Sequence, residues 1–292
     1  ASPMAHPIRP ESYIEINNFY TSTVYQKGAA VIRMVRTIIG EEIFLKACDA
    51  YFDRFDGQAV TTDDFLRVME DTAGLDLTQF KRWYSQAGTP TVVMRAQFDD
   101  EAGSLTIHCK QHTKPTPGQA TKEPFVIPLV LACFSAQGQS QVCVDEAGFT
   151  AHEHALLLSK EEDTFVLSGL ADRPVLSLLR GFSAPIHLEY DYSEQDLLLL
   201  FEHDDDAFSR WEAGQTYLKR LLIRLIEAQE SGQAMVLDQA FVQIIRRVLE
   251  QADKDPQFSA CLLSLPSQKE LLYLRPKTPC SVIVQVCDWL KC

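Results

Sequence analysis

The first thing missing from this 292-residue chain is a recognised zinc-binding motif, either a C-x-x-C pair or H-E-x-x-H. The eight cysteines, at 48, 109, 133, 143, 261, 280, 287 and 292, form no C-x-x-C pair. That excludes a zinc ribbon and fits reduced thiols in a cytoplasmic protein. No H-E-x-x-H occurs among the seven histidines, so the helical pair of imidazoles used by zinc peptidases is absent. G-x-S-x-G, the phosphate-binding P-loop and G-x-G-x-x-G are absent as well, which removes the nucleophile-elbow and nucleotide-loop classes. Basic stretches are lacking: the formal net charge is −13, spread along the whole length, so a nucleic-acid footprint is not expected. No apolar run nears the ~18–20 residues that cross a bilayer. The start, Ala1-Ser2-Pro3-Met4, has no basic and apolar leader pattern, and the N-terminus reads as an excision point.

What is present is a change of hydrophobic period. Val24, Val31, Val35 and Ile38 recur at helical spacing, widened by Ile32 and Ile39 and stopped by Gly40. Phe44, Ala47, Cys48, Tyr51 and Phe52 predict a second helix. Thr61-Thr62-Asp63-Asp64 offers N-capping side chains for a third. Leu77-Thr78 opens a fourth, with Phe80, Trp83 and Tyr84 on one face, and Gly88-Thr89-Pro90 ends it. Gln86, Gly88 and Pro90 read as architectural.

From Thr91 the period falls to two. Strands are expected at the hairpin around Asp99–Gly103, at 125–134, 141–144, 164–167 and 186–192, enough for a small β-sandwich. After Tyr192 helical spacing returns through Trp211, Leu218, Leu221, Leu222 and Leu225, then Phe241, Ile244, Ile245, Val248 and Leu249. The fold class is therefore α+β and multidomain, with expected divisions at 1–91, 92–191 and 192–266.

Neither histidine pair is the favoured reading as a metal site. His108 and His112 share a strand face but stand ~13 Å apart. His152-Glu153-His154 reads as an exposed loop, leaving a distinct metalloenzyme using both histidines as a minor alternative. Residues 267–292 lack clean helical periodicity and are rich in Cys and β-branched residues. They read as a divergent tail, out of frame or truncated. The alternative there is a thiol cluster of Cys280, Cys287 and Cys292, although its spacing matches no common zinc module.

A series of segments in order resembles bacterial aminopeptidase N, a gluzincin-type zinc exopeptidase. They are His6-Pro7-Ile8-Arg9-Pro10, Asn17-Asn18-Phe19-Tyr20-Thr21, Val24-Tyr25-Gln26-Lys27-Gly28-Ala29 and Lys81 through Pro90. Phe182-Ser183-Ala184-Pro185 and Phe208-Ser209-Arg210-Trp211-Glu212 continue the series. The match runs over about residues 1–266.

This resemblance implies that 1–91 is the helical end of a thermolysin-like catalytic domain. A β-sandwich and the start of an α-helical domain would follow. It implies removal of N-terminal residues from peptides by a zinc-bound water, with Tyr25 stabilising the oxyanion and Tyr20 and Asn17 beside the substrate. A phenol suits that role because it donates a hydrogen bond without ionising near neutral pH. The family's zinc ligands and its G-A-M-E-N motif have no counterpart here, and its helical domain is several times longer. The chain alone is thus expected to bind no zinc and to be inactive, its partners being peptides and the missing regions of the same polypeptide. The contrasting possibility is a stand-alone, non-catalytic binding or scaffold module.

Overall fold

The structure is a computed structural model that describes residues 5–291. It divides into two compact units. One takes in the residues up to 133 with 141–174 and 178–191; the other takes 134–140, 175–177 and the residues from 192 onward.

The first unit begins with helices. A 3₁₀ turn at Ile16–Phe19 and a π-helical turn at Thr23–Lys27 lead into α1 (Gly28–Ile39). The sequence pattern suggests an unbroken helix from Val24; the structure instead widens the first turn. α1 buries Ala30, Val31, Met34, Val35 and Ile39, a stripe at three- and four-residue spacing. Gly40 ends it at φ 83°, a conformation that costs glycine little. α2 (Glu41–Phe55) and α3 (Thr62–Ala73) follow. Thr61 and Asp64 cap α3 reciprocally, Thr61 Oγ1 accepting from Asp64 N and Asp64 Oδ2 accepting from Thr61 N.

The helix expected from Leu77 is shorter than the pattern suggests: α4 spans only Arg82–Ser85. Leu77 N donates to Glu70 Oε1 (2.9 Å) and Thr78 N to Asp76 Oδ1 (2.8 Å). These side-chain acceptors hold the segment in turns and compete with helix. Phe80, Trp83 and Tyr84 are nonetheless buried together.

The strands are β1 (Thr91–Asp99), β2 (Ser104–His112), β3 (Ile127–Phe134), β4 (Ser140–Gln141) and β5 (Cys143–Val144). They continue with β6 (Thr150–Ala151), β7 (Glu153–Leu158), β8 (Glu162–Ser168), β9 (Val175–Leu178) and β10 (His187–Glu189). One sheet runs β10-β1-β2-β8-β5-β6, with β1 and β2 antiparallel through Thr91↔His112 to Asp99↔Ser104. In the hairpin turn, Asp99 Oδ1 accepts from Glu101 N and Ala102 N, both at 3.0 Å. β3 pairs antiparallel with β7 in a second sheet. Every residue of β3 is buried, which explains a continuous apolar run without alternation.

The stretch from His152 to His154 corrects the loop expectation. Glu153 starts β7, and that strand buries alternate residues, His154 among them at 3% exposure. Two polar groups within an alternating strand disguise it in the sequence.

The second unit carries α5 (Glu194–His203), α6 (Ala207–Glu230), α7 (Gln239–Glu250), α8 (Pro256–Leu263), α9 (Gln268–Leu274) and α10 (Cys280–Lys291). α6 buries Tyr217, Leu218, Leu221, Leu222, Leu225 and Ile226. Over 267–292 the expected loss of helical order is corrected by α9 and α10. Ser267 and Glu270 form a capping box, and Leu271, Ile283, Val286 and Cys287 are buried. The seven residues of α9 are too few to show a period, and in α10 the β-branched run Val282-Ile283-Val284 masks the buried stripe of Ile283, Val286 and Cys287. Cys280 is exposed whereas Cys287 is buried, and Cys292 lies outside the described residues. Among the described residues no helix is long and apolar enough to cross a membrane.

Candidate functional site

Tyr25 lies in the middle of the π-helical turn, and such turns occur often at functional sites. The turn is anchored from its N-terminal side. Thr21 Oγ1 accepts from Val24 N (3.2 Å), and the Tyr25 N–H donates to the Thr21 carbonyl (3.1 Å). His6 steadies Thr21 in turn. Its Nδ1 faces the Pro7 carbonyl at 2.7 Å, which can only accept, so Nδ1 carries the hydrogen. His6 Nε2 then accepts from the Thr21 hydroxyl at 3.0 Å.

This anchoring holds Tyr25 out of the core, with 58% of its surface exposed. Tyr20, 63% exposed, stacks on it with ring centroids 6.0 Å apart and planes 17° from parallel. The pair thus leaves two aromatic faces side by side at the surface of the described residues. Tyr13, Ile14 and Ile16 are exposed on the preceding segment. Asn17 is in the 3₁₀ turn, and its Nδ2 donates to Glu15 Oε1 at 2.8 Å. The structure therefore brings Tyr20 and Tyr25 together, while the Asn17 amide is engaged with Glu15.

Opposite Tyr25 on the same turn, Lys27 points inward. Its Nζ donates to the Gly88 carbonyl at 2.6 Å and sits 5.3 Å from the Trp83 ring centroid. No carboxylate among the described residues lies within ion-pairing distance of it. Burial lowers its pKa from 10.5 to about 8, with the Lys122 ammonium adding repulsion. Trp83 Nε1 donates to the Val126 carbonyl (2.8 Å) and its ring stacks on Phe125 at 4.2 Å.

The Gln86–Pro90 connection is fixed by side chains as well. Gln86 exchanges two 2.9 Å hydrogen bonds with the Glu123 backbone. Lys122 Nζ donates to Ala87 O, Thr116 Oγ1 and Gln119 Oε1. Gly88 has φ +96°, and a Cβ there would meet Thr113 Cγ2 at 3.0 Å. Lys27 thus ties the tyrosine-bearing turn to the entry of the β segment.

Sequence reasoning passed over Lys27. The signal was present: Lys27, Val31, Met34 and Val35 share one helical face, and the last three are fully buried. A lysine in phase with such a stripe is an inward-pointing cation. His108 is on an exposed sheet face with Nδ1 2.9 Å from Thr164 Oγ1. Among the described residues no group of three or more His, Cys, Asp or Glu has metal-holding geometry.

Comparison with known proteins places these features. The model of the peptidase family M1 domain matches residues 1–84. A domain of unknown function with an Ig-like fold (DUF3458) matches 88–191, and its companion described as ARM repeats (DUF3458_C) matches 194–292. Aminopeptidase N of Escherichia coli K12 is 42% identical over 274 residues, covering 94% of this chain and 31% of that protein. The Caulobacter vibrioides aminopeptidase N is 40% identical, covering 93% of this chain and 30% of its own length. The chain is a homologue of bacterial aminopeptidase N.

It spans about a third of the length of these curated relatives. A crystal structure of Legionella pneumophila aminopeptidase A in complex with aspartic acid superposes with a TM-score of 0.80 at 27% identity. That match covers 97% of this chain and 31% of the other. The helical, Ig-like and ARM-repeat segments of the family follow one another here in the order seen along the chain.

Proposed function

We propose that this chain is the part of a zinc aminopeptidase that supplies a transition-state hydrogen-bond donor, Tyr25. The observation that carries the reading is an exposed phenol on a braced turn, stacked against a second exposed tyrosine. Attack of water on a peptide carbonyl puts negative charge on oxygen, and a fixed phenolic O–H stabilises that charge without becoming ionised. Tyr20 presents an aromatic wall for the first side chain of the peptide, and Asn17 flanks the same cleft. The exposed Tyr13, Ile14 and Ile16 support a cleft completed by other parts of the same polypeptide.

The described residues do not fit the zinc ion that the family implies, since none of their groupings offers three donors. The zinc ligands lie elsewhere in the polypeptide, the isolated chain has no peptidase activity, and the whole enzyme works on soluble peptides in the cytoplasm. The three domains divide at 91 and 191.

Steady-state kinetics of Tyr25→Phe in the full-length polypeptide test this. One lost oxyanion donor costs ~3–4 kcal/mol, on the order of 10²–10³ in kcat, with KM little changed. Turnover near that of the parent enzyme would end the assignment.

A further inference from the structure

The β segment holds reactive groups that peptide hydrolysis does not use. Cys133 is the penultimate residue of β3 and Cys143 opens β5, strands of different sheets. Both are fully buried, free cysteines. Their thiols are hydrogen-bonded to each other, which lowers the pKa of Cys143 and raises that of Cys133.

His154 of β7 completes the cluster, its ring also interacting with the Cys143 thiol. His154 Nε2 is 3.1 Å from the Cys143 carbonyl. A carbonyl only accepts, so Nε2 carries the hydrogen and Nδ1 is a bare lone pair. Nδ1 is buried and has no hydrogen-bond partner. Asp145 Oδ2 stands 3.6 Å from it, while Asp145 Oδ1 is fixed by the N–H groups of Ala147 and Phe149, both at 2.9 Å. The Phe149 ring packs edge-on against the imidazole at 6.0 Å. The bare Nδ1 lone pair of a buried histidine, beside the Cys143 thiol and 3.6 Å from the Asp145 carboxyl, is a proton acceptor in place.

We propose that Cys133 and Cys143 form a redox site, a thiol pair that a peroxide converts into a disulfide joining the two sheets, with His154 accepting the Cys143 proton. The Cys143 thiol passes its proton to His154 Nδ1, and Asp145 balances the charge. The thiolate sulfur attacks one peroxide oxygen. The O–O bond breaks, and the departing hydroxide leaves as water with the proton returned from His154. Cys143 is then a sulfenic acid. The Cys133 sulfur attacks the Cys143 sulfur, the S–S bond forms, and the hydroxyl leaves as a second water with the Cys133 proton. Two thiols and one peroxide thus become one disulfide and two waters.

Burial selects the oxidant. Neither sulfur meets solvent, so a small uncharged peroxide suits the site better than a bulky disulfide. Entry is through local opening of β5 and β6, each two residues long. β5 is joined to β8 only at Val144↔Ser168, and short strands with few pairings open most readily.

The test is hydrogen peroxide treatment of the full chain under native conditions, followed by thiol blocking, digestion and mass analysis. The expected result is a mass loss of two hydrogens, a Cys133–Cys143 cross-linked peptide that dithiothreitol reverses, and a raised Tm. In Cys143→Ser, Cys133 stays a free thiol. His154→Asn slows disulfide formation by at least about tenfold. The proposal is overturned if Cys133 and Cys143 stay reduced while the exposed Cys261 and Cys280 oxidise, or if Cys143 is recovered only as sulfinic acid. The wild-type measurement decides this even where a variant fails to fold.

Discussion

Replacing Lys27 with Met should make the fold lose a pH dependence rather than lose its stability. In the folded chain the Lys27 pKa is about 8 against 10.5 for an ordinary lysine, because of burial and then the Lys122 ammonium. At pH 7 the lysine is charged in both states, and the folded state bears the cost of holding that charge. Between pH 8 and 10.5 the unfolded chain keeps the proton that the folded chain has released. The unfolded state then binds more protons, so stability rises with pH. For pKa values of 8 and 10.5 the gain is about 2 kcal/mol by pH 9.5 and on the order of 3 kcal/mol above pH 11.

Met has nearly the same shape and no charge. It removes the cost of the charge at pH 7 but leaves the Gly88 carbonyl without its 2.6 Å donor, a loss of about 1–3 kcal/mol. The two effects roughly offset, so Lys27→Met stays within about 2 kcal/mol of the parent at pH 7. The assay is urea unfolding of parent and variant at pH 7 and pH 9.5, followed by tryptophan fluorescence, since Trp83 lies beside Lys27. The parent should gain about 2 kcal/mol more than the variant between the two pH values. Equal gains in both proteins would refute a buried, pKa-shifted Lys27.

Other outcomes follow from packing. Gly214→Ala should destabilise the second unit by about 1–2 kcal/mol in spite of alanine's ~1 kcal/mol helix preference. Its Cβ would stand 2.7 Å from the ring of Phe201, itself fully buried; a raised Tm would contradict this. Trp83→Ala should cost the first unit about 3–5 kcal/mol in urea unfolding, through the lost stacking on Phe125 and the unpaired Val126 carbonyl. Ser267→Ala should cost about 1 kcal/mol by removing the cap of α9. No change in urea midpoint would mean that α9 is not a structural part of the unit.

The helix–strand–helix order was legible because α1, β2 and α6 each bury one clean periodic face. β7 was not, since Glu153 and His154 gave a strand the look of a polar loop. β9 lies in a four-residue run, Val175–Leu178, whose residues are all buried, so no alternation marked it. The helix α9 was hidden by its seven-residue length, and α10 by a β-branched run, Val282-Ile283-Val284, that reads as strand. At the site, Tyr25 and Tyr20 were identified by resemblance, while their stacking came from a π-helical turn that periodicity does not encode. The brace by Lys27 and the Cys133–Cys143–His154 cluster depend on residues far apart in the chain or on partner strands, and no local spacing announces them.

The most direct test of the central claim compares two kinds of inhibitor on the full-length polypeptide, with and without the Tyr25→Phe substitution. One is a tetrahedral phosphonate analogue that presents an anionic oxygen; the other is a trigonal product-like amino acid. If Tyr25 donates to the oxyanion, Tyr25→Phe weakens the phosphonate on the order of 10²-fold, in step with the fall in kcat/KM, and leaves the amino acid nearly unchanged. Equal weakening of both, or of neither, would contradict the account.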